Sequence, residues 1–131
     1  MTKPSHESMR RAARVANIAY EEWMQDWPIE VSDPQRLGEF VQVLITHRAD
    51  QELACWLLDL VLESAGDRDD LHDWTETLVA ALTAGWQATE SAAIAGVFES
   101  WARPDATDPD EFFPVTPLVR EARRRIGHRS A

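Results

Sequence analysis

The stretch LACWLLDLVL, residues 53–62, is apolar almost all the way around a helical wheel. A helix that lacks a polar face is usually buried inside a protein. The helix is expected to begin near Asp50, and Gly66 stands where a glycine often follows the last turn of a helix. The sequence therefore predicts a central, strongly buried helix from about residue 50 to 66, with the other segments packed around it.

On the N-terminal side, apolar residues at spacings of three and four predict one helix that Pro28 ends, because the residue before a proline is disfavoured in the α region. Its expected buried face is Ala13, Ala16, Tyr20, Trp23 and Trp27. Asp33 and Pro34 suit the N-cap and first position of the next helix. The residues expected to be buried there are Leu37, Phe40, Val41, Leu44 and Ile45.

On the C-terminal side, a fourth helix is expected to be capped by Asp69 or Asp70 and a fifth by Thr89, with Pro104 closing the fifth. Their expected inner faces are Leu71, Trp74, Leu78, Leu82 and Trp86 in the fourth, and Ile94, Val97, Phe98 and Trp101 in the fifth. No alternating strand pattern or hairpin signal occurs. The chain is predicted to be one all-α domain, residues 1–131, of about six helices.

Two helix pairs show a faint internal repeat. LGEFVQVLI (37–45) aligns with LHDWTETLV (71–79), and LVLES (60–64) aligns with GVFES (96–100). Repeats of this length are typical of stacked helical hairpins, as in HEAT-like proteins, which the N- and C-terminal helices would then cap. Chance similarity between amphipathic helices of like composition explains the pattern equally well.

Residues 103–117, RPDATDPDEFFPVTP, predict an acidic, proline-rich loop that Phe112 and Phe113 pin to the body. The alternative is a mobile acidic segment open to a partner. A basic helix, residues 118–127, is expected after it, started by Thr116 and Pro117. Its arginines are expected to fold back onto the acidic body.

Charge is distributed unevenly. Residues 1–14 carry +3 and residues 120–131 carry +4, so with a net charge of −10 the segment between them carries −17. Such a segment attracts basic partners and repels nucleic acid. The same acidity would also keep a small protein in solution without any partner.

The residues show no recognisable catalytic or metal site, so we expect neither an enzyme nor a cofactor. His72 and Glu76 are four residues apart on a helix, but no HExxH motif or cysteine cluster accompanies them, so no metal is predicted. Cys55 lies in the most apolar helix and reads as a core residue. A single cysteine, no secretory leader and no span of membrane length predict a cytoplasmic protein.

The stretch YEEWMQDWPIEVSDPQRLGEFV, residues 20–41, resembles small all-helical immunity proteins of bacterial contact-dependent and polymorphic toxin systems. The matching residues are Tyr20, Asp26 and Trp27 at the end of a helix and Phe40 in the next. Residues 71–101 lie outside the resemblance. It implies a protein that binds a cognate toxin domain, often a basic nuclease, and blocks its active site or its substrate path.

Carboxylates on outer faces are the expected contacts for such a basic partner. They are Glu21, Glu22, Asp26 and Glu30 in the first region, Asp67, Asp69, Asp70 and Asp73 in the second, and Asp108, Asp110 and Glu111 in the loop. The alternative is a helical-repeat scaffold or homo-oligomer without a toxin partner, joined by Trp86 and Trp101. The sequence does not decide the oligomeric state.

Overall fold

The computed structural model describes residues 6–18, 28, 31–86 and 92–130, and these are helical and contain no strand. The α-helices are α1 (His6–Val15), α2 (Leu37–Thr46), α3 (Gln51–Gly66), α4 (Thr75–Trp86), α5 (Ala92–Ala102) and α6 (Thr116–Ser130). Short 3-10 turns occupy Pro34–Arg36, Leu71–Trp74 and Pro109–Glu111. The prediction of an all-α fold with about six helices is confirmed. None of the described helices has the length and apolar character that a bilayer crossing requires.

Helix α3 is the centre of the fold, as its apolar sequence predicts. It packs against α1, α2 and α5, and its leucines at 53, 57, 58, 60 and 62 are buried. Asp50 caps it by accepting a hydrogen bond from the Leu53 N–H at 3.2 Å. The helix ends at Gly66 as predicted, but the expected position of Gly66 just past the last turn is wrong. Gly66 is the last helical residue, and none of the described glycines has a positive φ, so its freedom is not what ends the helix.

Helix α1 ends much earlier than predicted. Asn17 adopts a positive φ of 56°, and the Ile18 N–H donates to the Ala13 carbonyl at 2.9 Å while the Asn17 N–H donates to the Arg14 carbonyl at 3.2 Å. This pair of hydrogen bonds is a Schellman motif, with asparagine in the position that glycine usually takes. The prediction of one continuous helical face from Ala13 to Trp27 is therefore wrong. Tyr20, Trp23 and Trp27 lie outside the described residues.

The start of α2 follows the predicted capping with one change. Asp33 accepts a hydrogen bond from the Gln35 N–H at 3.0 Å, with Pro34 in first position, but the turn it caps is 3-10 rather than α. Leu37, Phe40, Val41 and Leu44 are buried as predicted.

The two helix pairs are not equivalent. Residues 37–45 lie entirely in α2, whereas residues 71–79 are divided between a 3-10 turn and α4. Helix α4 packs mainly on α6, which also contacts α5, so the described part of the second pair is not a simple hairpin. Neither Asp69 nor Asp70 caps α4, since the turn before it lacks a side-chain cap. Thr89 lies outside the described residues. The expected repeat of stacked hairpins is not what the packing shows.

The junction between α5 and α6 is held by polar contacts. The buried Thr116 hydroxyl donates to the Trp101 carbonyl at 2.8 Å and accepts from the Phe113 N–H at 3.0 Å. Arg120 donates to the carbonyls of Ala102, Arg103 and Ala106. The connecting loop therefore ends at residue 115, and α6 extends to Ser130 rather than residue 127.

Both phenylalanines hold this loop to the body, as predicted. The Arg120 guanidinium lies 4.2 Å from the centre of the Phe112 ring, and the rings of Phe113 and Trp101 are 5.1 Å apart. Phe113 remains 40% exposed. The fold-back of the arginines is partly confirmed. Arg125 reaches Glu76 of α4 at 3.8 Å, but its closer carboxylate is Glu121 of its own helix, at 2.8 Å.

Candidate functional site

Arginine side chains in the described part of the chain mostly serve the fold. Arg36 donates to the carbonyls of Ala16 and Asn17, at the C-terminal end of α1. Arg68 donates to the Pro34 carbonyl at 2.6 Å and to both carboxylate oxygens of Asp70, at 2.5 and 2.8 Å. These two cations are consequently committed to partners within the chain, and in the part of the chain that the structure describes they are not available to neutralise other carboxylates.

Among the carboxylates predicted as contacts in the second region, Asp70 is already paired with an arginine of the same chain. The hydrogen bonds from Arg68 lower the pKa of Asp70, so the carboxylate stays ionised but is already compensated. Its contribution to binding a basic partner is therefore small. Asp67, Asp69 and Asp73 are exposed on the connection between α3 and α4, and they remain candidate contacts.

Two carboxylates of α3 that were not predicted as contacts from the sequence continue this region. Asp59 and Glu63 are half-buried and, with Asp67, follow each other at intervals of four residues. We name Asp59, Glu63 and Asp67 the acidic stripe. It begins on α3 and ends at Asp67, the first residue after the helix, so at 1.5 Å per residue it extends over roughly 12 Å. The spacing of four was visible in the sequence, but the apolar residues around it made the helix appear buried on every side.

The middle of the acidic stripe is electrostatically unfavourable. Partial burial, and then the negative charges of Asp59 and Asp67, raise the pKa of Glu63. Three like charges on adjacent turns repel each other, and partial burial weakens the screening by water. Among the described residues, no arginine or lysine pairs with Glu63. A cation placed beside it would relieve the repulsion.

The acidic stripe joins the two predicted regions that the structure describes. The Trp101 indole N–H donates to Asp59 Oδ1 at 2.7 Å, and the Trp101 ring also contacts the ring of Phe113, which follows the acidic loop residues, at 5.1 Å between centres. At the other end, Asp67 Oδ2 lies 3.5 Å from Ser32 Oγ and leads into the α3–α4 connection. This arrangement cannot be predicted from the sequence, because α3 and the loop are far apart in the chain and are connected through Trp101 only by tertiary packing.

The loop carboxylates are divided between two roles. Asp108 caps the short turn by accepting a hydrogen bond from the Asp110 N–H at 2.9 Å, so it has a structural use. Glu111 lines an open cleft of about 490 Å³ together with Glu99, Arg103 and Asp105. Asp110 is exposed. Glu111 and Asp110 thus remain candidate contacts.

The first predicted region is not tested by the structure. Glu21, Glu22, Asp26 and Glu30 all lie outside the described residues. Their assignment as partner contacts therefore stays a prediction from the sequence.

A second cleft, of about 310 Å³, opens between the Leu71–Trp74 turn, α4 and the start of α6. Its apolar lining consists of Leu71, Val79, Pro114, Pro117 and Leu118. His72, Thr75 and Glu121 complete it. Hydrogen bonds from Arg124 and then Arg125 lower the pKa of Glu121 to about 2, so this carboxylate stays ionised at neutral pH.

The reactive residue types show no catalytic arrangement in the described part of the chain. Burial raises the pKa of the Cys55 thiol to about 12, helped by the nearby charges of Asp59 and Glu52, so the thiolate needed for nucleophilic attack is not populated at neutral pH. The described residues contain no group of three or more histidine, cysteine or acidic side chains arranged to hold a metal ion, and His72 is exposed.

The scaffold hypothesis relied on two tryptophans. The side chain of Trp86 lies outside the described part, and Trp101 is buried, with its N–H donated to Asp59. Trp101 is therefore wrong as an exposed subunit contact. The comparisons give no alternative lead: the chain matches no family model, no curated protein and no solved structure.

Proposed function

We propose that this chain is a small acidic protein-binding protein that receives a basic partner along the acidic stripe. The observation that carries the proposal is Glu63, a half-buried carboxylate held between two other carboxylates without a described cationic partner. A lysine or arginine of a partner loses hydration energy when it leaves water. At this position its attraction to Glu63 offsets that loss and relieves the repulsion among the three carboxylates.

The distribution of the remaining charge supports the same kind of partner. Exposed Asp67, Asp69 and Asp73 extend the acidic stripe at one end, and Asp110 and Glu111 lie on the loop near the other. An acidic surface of this length attracts a basic domain over a distance and speeds its encounter at low salt. It repels nucleic acid, whose phosphates carry the same sign.

The specific biological form of the proposal is an immunity protein that neutralises a basic toxin domain. Its support is the sequence resemblance of residues 20–41 together with the surface charge. A toxin domain that binds a phosphate backbone carries a basic active-site surface, and the acidic stripe would occupy that surface and exclude the substrate. No described contact favours the homo-oligomeric scaffold as a second candidate.

The test is affinity capture from the native cell with two tagged variants of equal net charge. The stripe variant carries Glu63→Gln and Asp67→Asn, and the control carries Glu7→Gln and Glu52→Gln, at two exposed carboxylates that belong neither to the acidic stripe nor to the loop cleft. We expect a basic protein to be captured by the wild type and the control but lost, or weakened at least about tenfold, with the stripe variant.

Two results would contradict the proposal. Equal weakening of both variants would mean that only the overall charge matters, and equal retention by both would place the binding surface elsewhere. The immunity form has its own test. Expression of the captured partner should arrest growth, and coexpression of this chain should restore it.

A further inference from the structure

The apolar cleft beside α6 is not used by the proposed function, and it has the character of a receptor for one side chain. Its floor and walls come from Leu71, Val79 and Leu118, of which Val79 and Leu118 belong to the hydrophobic core. A concave apolar site of about 310 Å³ is at the lower end of the range for ligand pockets and is large enough for one aromatic or aliphatic side chain. Protein interfaces gain most of their affinity from a few anchors buried in pockets of this kind.

The segment that supplies one wall of the cleft is acidic. Residues 69–76, which form the turn and the start of α4, contain four carboxylates and no arginine or lysine. Asp70 is compensated by Arg68, which leaves Asp69, Asp73 and Glu76, all exposed. Asp73 and Glu76 directly follow His72 and Thr75, two residues that line the cleft. This wall attracts cations to the mouth of the cleft.

The opposite wall does not cancel this charge. Arg124 and Arg125 of α6 are both bound to Glu121, at 2.5–3.0 Å and 2.8 Å. Arg125 lies 3.8 Å from Glu76, whose side chain is 83% exposed, so this ion pair is weak and leaves Glu76 accessible. Arg120, in the first turns of α6, donates to backbone carbonyls of the preceding segment.

We propose that this cleft binds an apolar anchor side chain of the basic partner, flanked in that partner by lysine or arginine residues that meet Asp73 and Glu76. The inference rests on the proposed function and adds the chemistry of the recognised segment. A second copy of this chain is a poor occupant, because Ile126, the large apolar residue among the arginines of its basic C-terminal segment, packs against its own core, and the segment between the basic ends carries −17. The charge of the cleft wall favours a basic, not an acidic, ligand.

The experiment uses three synthetic peptides as probes and the full chain as receptor. The basic aromatic peptide is Lys-Lys-Gly-Phe-Gly-Lys-Lys, its matched control has serine in place of phenylalanine, and a neutral peptide keeps the phenylalanine but replaces every lysine with serine. Binding is measured by titration of backbone amide resonances at low salt. We expect the basic aromatic peptide to bind roughly tenfold more tightly than either of the others, with the largest changes at Leu71, Val79 and Leu118.

A pair of variants locates the effect. Thr75→Phe fills the cleft and should reduce the affinity of the basic aromatic peptide to that of its serine control. Thr77→Phe places the same side chain at an exposed position of α4 outside the cleft lining and should leave the affinities unchanged. The peptide comparison on the wild type does not depend on whether either variant folds.

The other outcomes separate this proposal from the proposed function. Equal, salt-sensitive binding of the basic aromatic peptide and its serine control, with changes centred on Glu63, would overturn the cleft proposal and leave the acidic stripe in place. Equal binding of the neutral and basic aromatic peptides would overturn the basic character of the partner at the cleft. If neither basic peptide binds, the cleft proposal fails and the proposed function loses its electrostatic support.

Discussion

Arg120 and Glu63 are both half-buried charged residues at the edge of the core, and the structure treats them in opposite ways. Arg120 donates to three backbone carbonyls and covers the Phe112 ring. Glu63 has no described hydrogen bond to a cation and has its pKa raised by burial and by its acidic neighbours. The protein supplies hydrogen-bond partners to the charge of Arg120, whereas it surrounds the charge of Glu63 with other negative charges.

This difference separates structural charge from charge that is available for binding. A satisfied, partly buried ion contributes to folding, and its removal leaves the groups that it served without partners. An ion without a countercharge lowers the stability of the fold slightly. Such a residue is expected at a binding surface, where a partner supplies the countercharge. Substitutions at both kinds of position should therefore change stability in opposite directions.

The largest effect is expected for Arg120→Ala. The substitution leaves the carbonyls at the C-terminal end of α5 and in the following loop without a donor, and it removes the cover of Phe112. We expect a loss of about 2–3 kcal/mol in the free energy of unfolding, measured in urea. Arg123→Ala, at an exposed position of the same helix, is the matched control and should change stability by less than about 0.5 kcal/mol. Similar losses of stability in the two variants would show that the hydrogen bonds of Arg120 do not stabilise the fold.

A smaller effect of the same kind is expected at Thr116, and a second threonine gives the opposite sign. Thr116→Val removes a buried hydroxyl that has two hydrogen-bond partners and should cost about 1–2 kcal/mol. The Thr83 hydroxyl is buried and has no hydrogen-bond partner among the described residues, so Thr83→Val should leave stability unchanged or raise it by up to about 1 kcal/mol. Both values come from urea unfolding. A larger loss for Thr83→Val than for Thr116→Val would contradict the argument.

The sequence predicted the parts of the fold that depend on local patterns. The central helix, its start near Asp50, the Asp33–Pro34 turn and the start of α6 at Thr116 follow from periodicity and capping chemistry. The end of α1 did not, because asparagine adopts positive φ less often than glycine and the apolar spacing continues past it in the sequence. Packing of α6 on α4 was also not predictable, since it joins helices that α5 separates in the chain.

The candidate site was predictable only where charge is exposed. Asp67, Asp69 and Asp73 were recognised because they stand outside the apolar pattern, while Asp70 could not be excluded without knowing that Arg68 binds it. Asp59 and Glu63 were missed because their neighbours are apolar. A carboxylate inside an apolar helix deserves selection as a site candidate, since a helix this apolar has little local reason to contain one.

The smallest and most specific prediction concerns Glu63→Gln and its dependence on pH. The raised pKa means that the folded state disfavours the ionised Glu63, which destabilises the fold whenever the carboxylate is ionised in both states. The variant should therefore be more stable than the wild type at neutral pH, by less than about 1 kcal/mol after allowance for screening by solvent. The advantage should shrink as the pH falls through the raised folded pKa, and it should vanish below the usual value of 4.5, where the wild type is protonated in both states.

Glu99→Gln provides the control for this measurement, because it makes the same change in net charge at an exposed position of α5. Urea unfolding of both variants and the wild type between pH 7 and about pH 4 gives the comparison. A gain that is equal in both variants reports only the relief of general repulsion in an acidic protein. A loss of stability in Glu63→Gln at neutral pH would show that this carboxylate has a favourable partner, and it would then belong with Arg120 rather than with the binding surface.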